Sequence, residues 1–233
     1  MPKKFLKNLA KFLRLQKAVE HFGLFRGAEK KNLPKILAQN IDCFADPELK
    51  LKVYEILLEL RRQIRKKFGL LIVLGWRREW NEKYISMPDA TQNIFRAHCH
   101  FDLKHASFRH AVSVIKKTID FDGAIIITCE GIIIGSGLYL ENFHPKEVVK
   151  ILHPTKTEDL SSAFGFAQKV HTRHLAAIAA SYTLRGTTVF VLSEEDNTIR
   201  IMEKGRIIWS TVGEEISRIV GAEKYKDAGK KAA

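Results

Sequence analysis

Apolar side chains recur along this chain in two different rhythms. Before residue 68 they return every three or four positions, the spacing of one helical face. Phe5, Leu9, Phe12 and Leu13 share a face over residues 3–20, and Leu49, Val53, Ile56, Leu57, Leu60 and Ile64 form a second stripe, with Gly23, Gly27 and Pro34 interrupting between them. The second helix has legible ends: Asp46 as its cap, Pro47 in the first helical position, Glu48 suited to the dipole and Gly69 as its stop. Arg61, Arg62, Arg65, Lys66 and Lys67 crowd what this reading makes its last turns. Positive charge is favoured there, so helix stability accounts for most of that cluster.

After residue 68 the rhythm changes. "LLIVLGW" reads as a buried strand, and residues 77–100 carry no clear pattern, with "RREW" and "SMPDA" resembling loop or edge structure. A helix is predicted from about Ser107 toward Thr118, with Phe108, Ala111, Val112 and Ile115 on one face. "DGAIIIT", "CEG" and "IIIGSGLYL" then give strand, tight turn and strand, with Gly131 in the turn. Helical sequence returns near Thr172, two strands flank Asp196-Asn197, a third follows Gly205, and residues 213–220 suit a short closing helix. This order predicts an α/β fold, a mixed sheet with helices packed on it, preceded by an N-terminal helical segment.

Composition narrows the class. The 233 residues are 45% hydrophobic and 28% charged, which suits a soluble globular chain large enough to need no disulfide or metal staple. Cys43, Cys99 and Cys129 are odd in number and far apart, as expected in a reducing cytoplasm. No apolar run reaches transmembrane length, and Lys7, Lys11 and Arg14 interrupt any signal-peptide core. The formal net charge of +13 calls for an anionic partner: a phosphorylated small molecule, nucleic acid or an anionic membrane surface. Nucleic acid is not favoured, because no zinc-finger spacing, aromatic RNA-binding signature or zipper repeat is present. The basic helix at 3–20 allows peripheral membrane contact, though packing on its own domain or on a partner subunit is the commoner use of such a helix.

Three polar segments abut apolar strands or helices, where a rigid frame can present chemistry. Asp122-Gly123-Ala124 opens "IIIT": the carboxylate suits a hard cation and the glycine lets a ligand approach the backbone, while Asp-Gly ahead of a strand also makes an ordinary turn. Thr172-Arg173-His174 leads "LAAIAAS". Cations in a first helical turn oppose the macrodipole, so either an anion belongs there or the helix begins earlier, near Ser161 or Ser162, and these residues are a solvated mid-helix face. Ser193-Glu194-Glu195 ends "TVFVL", as a metal-holding pair or as a polar strand end. The glycines of "GSGLYL" leave room beside a flat base. Together the segments suit a metal-dependent nucleotide binder, without a P-loop. His98, Cys99, His100, His105 and His110 lack a metal-ligand spacing.

In order and separation, "DFDGAIII", "HTRHLAAIAAS" and "VFVLSEEDNTI" resemble the signatures of the diadenylate cyclase (DAC) domain family, over roughly residues 68–210. The resemblance implies a central, mostly antiparallel sheet flanked by helices. It implies joining of two ATP molecules into cyclic di-AMP with release of two pyrophosphates, with Mg²⁺ or Mn²⁺, by two domains face to face. It implies catalytic roles for Asp122, Arg173 and His174. Asp122 would ligate metal and help activate the attacking 3′-hydroxyl, and Glu194 and Glu195 would complete the metal shell. Gly123, Ala124, Thr172, Arg173, His174, Ser193 and Glu194 would line the nucleotide site, with Leu138 and Tyr139 bracketing adenine. The expected organisation is residues 1–67 as an oligomerisation or regulatory segment, 68–222 as the catalytic domain and 223–233 as a frayed tail. The family's third motif Arg is Leu175 here, His171 replaces a Gly, and Tyr182 stands where Glu is common. Lys169, His171 or Arg185 are candidates to replace the lost charge. An inactive domain that binds ATP or cyclic di-AMP as a sensor is the alternative.

Overall fold

The computed structural model describes residues 28–39, 44–86, 90–95, 100–155 and 159–215. The helix expected at 3–20, the tail at 223–233 and the closing helix beyond residue 215 lie outside them. Six α-helices are described: α1 (Ala28–Gln39), α2 (Pro47–Gln63), α3 (Phe108–Lys116), α4 (Pro145–Leu152), α5 (Leu160–Ala163) and α6 (Thr172–Thr183). Eight strands are β1 (Leu70–Trp76), β2 (Tyr84–Ser86), β3 (Phe101–Asp102), β4 (Ala124–Thr128), β5 (Ile132–Leu140), β6 (Thr188–Leu192), β7 (Ile199–Glu203) and β8 (Arg206–Ser210).

They form one sheet in the order β2-β5-β4-β1-β6-β7-β8, with β3 also on β5. Only β1 and β4 pair in parallel; the remaining strand pairs are antiparallel. The mixed, mostly antiparallel α/β sheet flanked by helices therefore stands as expected. All seven residues of β1 are buried because both faces are covered. Leu70, Ile72 and Leu74 join the core beneath α1, α2 and α3, whereas Leu71 and Val73 join the core beneath α4, α5 and α6. The alternation of β-strand side chains thus sorts one apolar run into two layers.

Asp46 caps α2 by accepting from the Glu48 amide, with Pro47 at the first position. The helix does not run to Gly69. It ends at Gln63, and Ile64 is already extended at φ −103°, ψ 119°. Only Arg61 and Arg62 lie in its last turn, so the dipole accounts for two of the five basic residues and leaves Arg65, Lys66 and Lys67 without that explanation. Helices α1, α4 and α5 did not stand out in the pattern. α1 keeps Pro34 inside it, with Leu33, Ile36 and Leu37 buried to hold the helix together.

The boundary expected at residue 67 runs through a single core. Leu49, Val53, Ile56, Leu57 and Leu60 of α2 pack with Phe190, Ile201 and Trp209 of the sheet. Trp209 Nε1 donates to Tyr54 Oη at 3.1 Å. Lys50 Nζ lies 2.8 Å from Glu203 Oε1 with both side chains fully buried, and Thr188 Oγ1 donates to the same carboxylate. Removing one partner of such a pair leaves the other charge in a dry interior. Lys50→Met is expected to lower unfolding free energy by about 3–5 kcal/mol, read by urea titration; a loss below about 1 kcal/mol would place α2 outside the cooperative unit.

Candidate active site

Strand directions assemble the site. β1 is parallel to β4 and antiparallel to β6, with Leu71 opposite Ala124 and Leu70 opposite Leu192. The start of β1, the start of β4 and the end of β6 therefore meet at one edge of the sheet's centre. That edge carries Gly69, then Asp122-Gly123, then Ser193-Glu194. The first turn of α6 lies over it.

α6 begins at Thr172 with His171 as its N-cap, and no side chain caps the exposed amides. Thr172 is thus the first helical residue. The chain breaks after α5 through Gly165, at φ 85°, so Ser161 and Ser162 belong to a separate short helix. Arg173 and His174 do sit in a first helical turn.

Arg173 joins the three segments. Its Nη2 lies 3.8 Å from Asp122 Oδ1 and its Nη1 3.7 Å from Glu194 Oε2. The Arg173 side chain is 28% exposed, against 68% for Asp122 and 55% for Glu194, so one half-sheltered cation is flanked by two open carboxylates. Both separations exceed a charge-assisted hydrogen bond, which leaves the guanidinium free to take a closer anion. A residue missed in the sequence supports it from below. A Cβ on Gly69 would lie 1.9 Å from Arg173 Nη1, so the guanidinium occupies the space a side chain would need. A glycine ahead of a strand reads as a helix stop, which hid this role.

Gly123, at φ 87°, has the same character. A Cβ there would lie 2.7 Å from the Leu138 carbonyl oxygen. The Asp122 amide donates to Gln92 Oε1 at 3.0 Å. Gln92 and Asn93 come from the stretch without a clear pattern. They also fill the space beside "GSG": a Cβ on Gly137 would meet Gln92 Cβ at 2.6 Å, so these glycines admit a loop rather than open room for a base. Ala124 and Leu138 are buried cross-strand partners, whereas Tyr139 is 37% exposed opposite the exposed Ile85 of β2. Leu138 and Tyr139 point to opposite faces, so they do not bracket one ring; Tyr139 with Ile85 offers the open apolar surface.

His174 turns inward. It is 3% exposed, stacks edge-on against Phe166, and its Nε2 lies 3.1 Å from Arg200 Nη1. A guanidinium only donates, so Nε2 accepts and the ring is neutral with its proton on Nδ1. Burial first, then the Arg200 charge, pushes its pKa down to about 4, against the opposing pull of Glu195 and Asp196. His174 therefore supplies no positive charge for a phosphate at neutral pH. Arg200 is clamped by Glu215 at 2.9 Å, and Glu215 also accepts from the Ala167 amide, tying down the segment that leads into α6. The consecutive acids split: Glu194 faces Arg173, while Glu195 accepts from Ser193 Oγ at 2.8 Å on the His174 side. There a cleft of about 70 Å³ is lined by Lys169, His171, His174, Ser193, Glu195 and Arg200.

Among the described residues no group of three or more His, Cys, Asp and Glu side chains is gathered to hold a metal. Asp122 and Glu194 are open hard-oxygen donors on one edge, which suits an Mg²⁺-type ion that takes few protein ligands and completes its shell from phosphates and water. Glu195 is turned from that edge. Leu175 is half-buried in the apolar layer under α6. Arg185 lies past the far end of α6, about 18 Å along the axis from Arg173, and cannot replace the absent charge.

The family model described as DisA bacterial checkpoint controller nucleotide-binding, DAC, matches residues 60–207. The chain belongs to this family of nucleotide-binding domains. Among solved structures it is similar to a double mutant of DacA from Staphylococcus aureus, at 20% identity and a TM-score of 0.41, covering 76% of this chain and 94% of that one. It is also similar to a hypothetical membrane spanning protein from Bacillus cereus, at 14% identity and a TM-score of 0.46, covering 88% and 89%. No curated protein matches it. No helix among the described residues is long and apolar enough to cross a membrane.

Two outcomes are expected. Gly69 is not in the left-handed region, so Gly69→Ala should fold yet displace Arg173, weakening ATP binding about tenfold or more, the scale of one lost charge-assisted contact. An unchanged melting curve with weakened ATP binding is the signature; unchanged binding would contradict the placement. For His174, the unfolded chain binds the proton more readily than the folded one. Stability is therefore complete above about pH 6.5 and falls as pH drops toward 4, by roughly 1.4 kcal/mol per pH unit. Denaturant titrations should show this slope in the wild type and its loss in His174→Gln, whose amide oxygen still accepts from Arg200.

Proposed function

We propose that the protein is a diadenylate cyclase, condensing two ATP into cyclic di-AMP. The observation that carries this is Arg173 held between Asp122 and Glu194 at the shared edge of β4, β1 and β6. In each of two equivalent steps a 3′-hydroxyl oxygen bonds to the α-phosphorus of the other ATP. The bond to the β-phosphate bridging oxygen breaks, and pyrophosphate leaves with the electron pair. Because each site holds one ATP, two copies of the domain face each other to close the ring.

The residues divide the work. Asp122 accepts the hydrogen bond of the incoming hydroxyl, takes its proton as the oxygen bonds to phosphorus, and releases it to solvent from its exposed carboxylate. Arg173 trades its long contacts with the carboxylates for shorter ones to the triphosphate, where charge grows as pyrophosphate departs. The uncapped amides at Thr172 add donors to the phosphates. Tyr139, with Ile85, offers a face to the base. His174 keeps the first turn of α6 seated on Arg200. Mg²⁺ or Mn²⁺, held by Asp122 and Glu194, would supply Lewis-acid stabilisation when bound.

Leu175 supports a second reading, a domain that binds ATP or cyclic di-AMP without turnover, because it gives the triphosphate no second guanidinium beside Arg173. Mass spectrometry of products after incubation with ATP and Mg²⁺ or Mn²⁺ separates the two. Cyclic di-AMP from the wild type and at least about a 100-fold loss in Asp122→Asn is the expected result. Nucleotide binding without product under either metal would favour the sensor.

A further inference from the structure

Arg65, Lys66 and Lys67 are consecutive, exposed and beyond the end of α2. Three adjacent cations repel one another, and here the helix dipole no longer offsets that cost. Their position is specific. Lys67 is two residues before Gly69, so its Cα is within about 7 Å of the glycine that carries the Arg173 guanidinium on its surface. Lys66 Nζ reaches Asp120 Oδ1 at 2.5 Å, on the strand-entry loop that holds Asp122. Lys67 Nζ reaches the Glu195 carbonyl at 3.4 Å, on the turn that holds Glu194. One segment thus extends a cation to each side of the edge where Arg173 sits.

Neither lysine is committed to its present partner. The Lys66–Asp120 pair is 55% and 68% exposed, and the Lys67 contact is long for a hydrogen bond. Both can turn on their four-carbon stems toward a stronger anion.

We propose that Lys66 and Lys67 are phosphate-binding residues of the nucleotide site, supplying from the segment before β1 the positive charge that Leu175 does not supply from α6. This rests on the nucleotide reading above. It makes the site's outer wall a pair of mobile point charges in place of a fixed guanidinium.

The test is calorimetry on the full chain with α,β-methylene-ATP and Mg²⁺, and separately with adenosine. Lys66→Ala/Lys67→Ala should weaken the triphosphate analogue at least about tenfold, leave adenosine unchanged and flatten the salt dependence of analogue binding. Lys66→Arg/Lys67→Arg should stay within about threefold of wild type. Lys146→Ala/Lys150→Ala carries the same change in net charge on α4, whose Leu152 packs with Tyr182 at the far end of α6, and should bind as wild type. Wild-type binding with an unchanged lysine variant overturns the assignment while leaving the nucleotide site standing. An equal loss in the α4 variant reduces the effect to net charge and overturns it too. A wild type that binds no analogue overturns the nucleotide reading and this inference with it.

Discussion

A parallel strand pair at the centre of an otherwise antiparallel sheet decides where this molecule can do chemistry. Because β1 runs with β4 and against β6, two strand entrances and one strand exit coincide at a single edge. Gly69, Asp122 and Glu194, successively 53 and 72 positions apart, become neighbours through backbone pairing alone. The strands that place them are buried on both faces, so the edge is rigid while its side chains stay open. The side chain that spans the edge, Arg173, comes from a helix held in place from the opposite side.

That support is electrostatic. Arg200 and Glu215 form a buried ion pair at 1–2% exposure, and Arg200 also donates to His174 in the first turn of α6. Neighbouring residues of one helical turn thus take opposite parts. His174 is neutral, buried and fixed; Arg173 is charged, half-exposed and loosely held. The charge this turn leaves open to an anion lies on Arg173, and the neutral His174 is kept out of it.

Much of this was legible in the sequence. The "LLIVLGW" run, the hairpin about Gly131 and the strands about Asp196-Asn197 are strong short-range signals, and each forms where the pattern puts it. The three polar segments were recognisable because each abuts an apolar run, and the structure brings Asp122, Arg173 and Glu194 together. What stayed hidden depends on tertiary approach. Gly69 looks like a helix stop until Arg173 is seen above it. Gln92 and Asn93 lie in a stretch without periodicity, since a loop that plugs a strand's glycines needs none. Arg200 lies in a strand whose local pattern does not mark its partners, Glu215 and His174. Helices α4 and α5 are too short to establish a period. The joining of α2 to the sheet through Lys50 and Glu203 links positions 153 residues apart, which no local pattern records.

The central claim is that the guanidinium of Arg173 is the cation waiting for a triphosphate. A crystal structure of the protein with α,β-methylene-ATP and Mg²⁺ tests it most directly. The account predicts phosphate oxygens within about 3 Å of the Arg173 guanidinium, with Asp122 beside the ribose 3′-hydroxyl or the metal. A triphosphate seated elsewhere, with Arg173 still resting between Asp122 and Glu194, would contradict it.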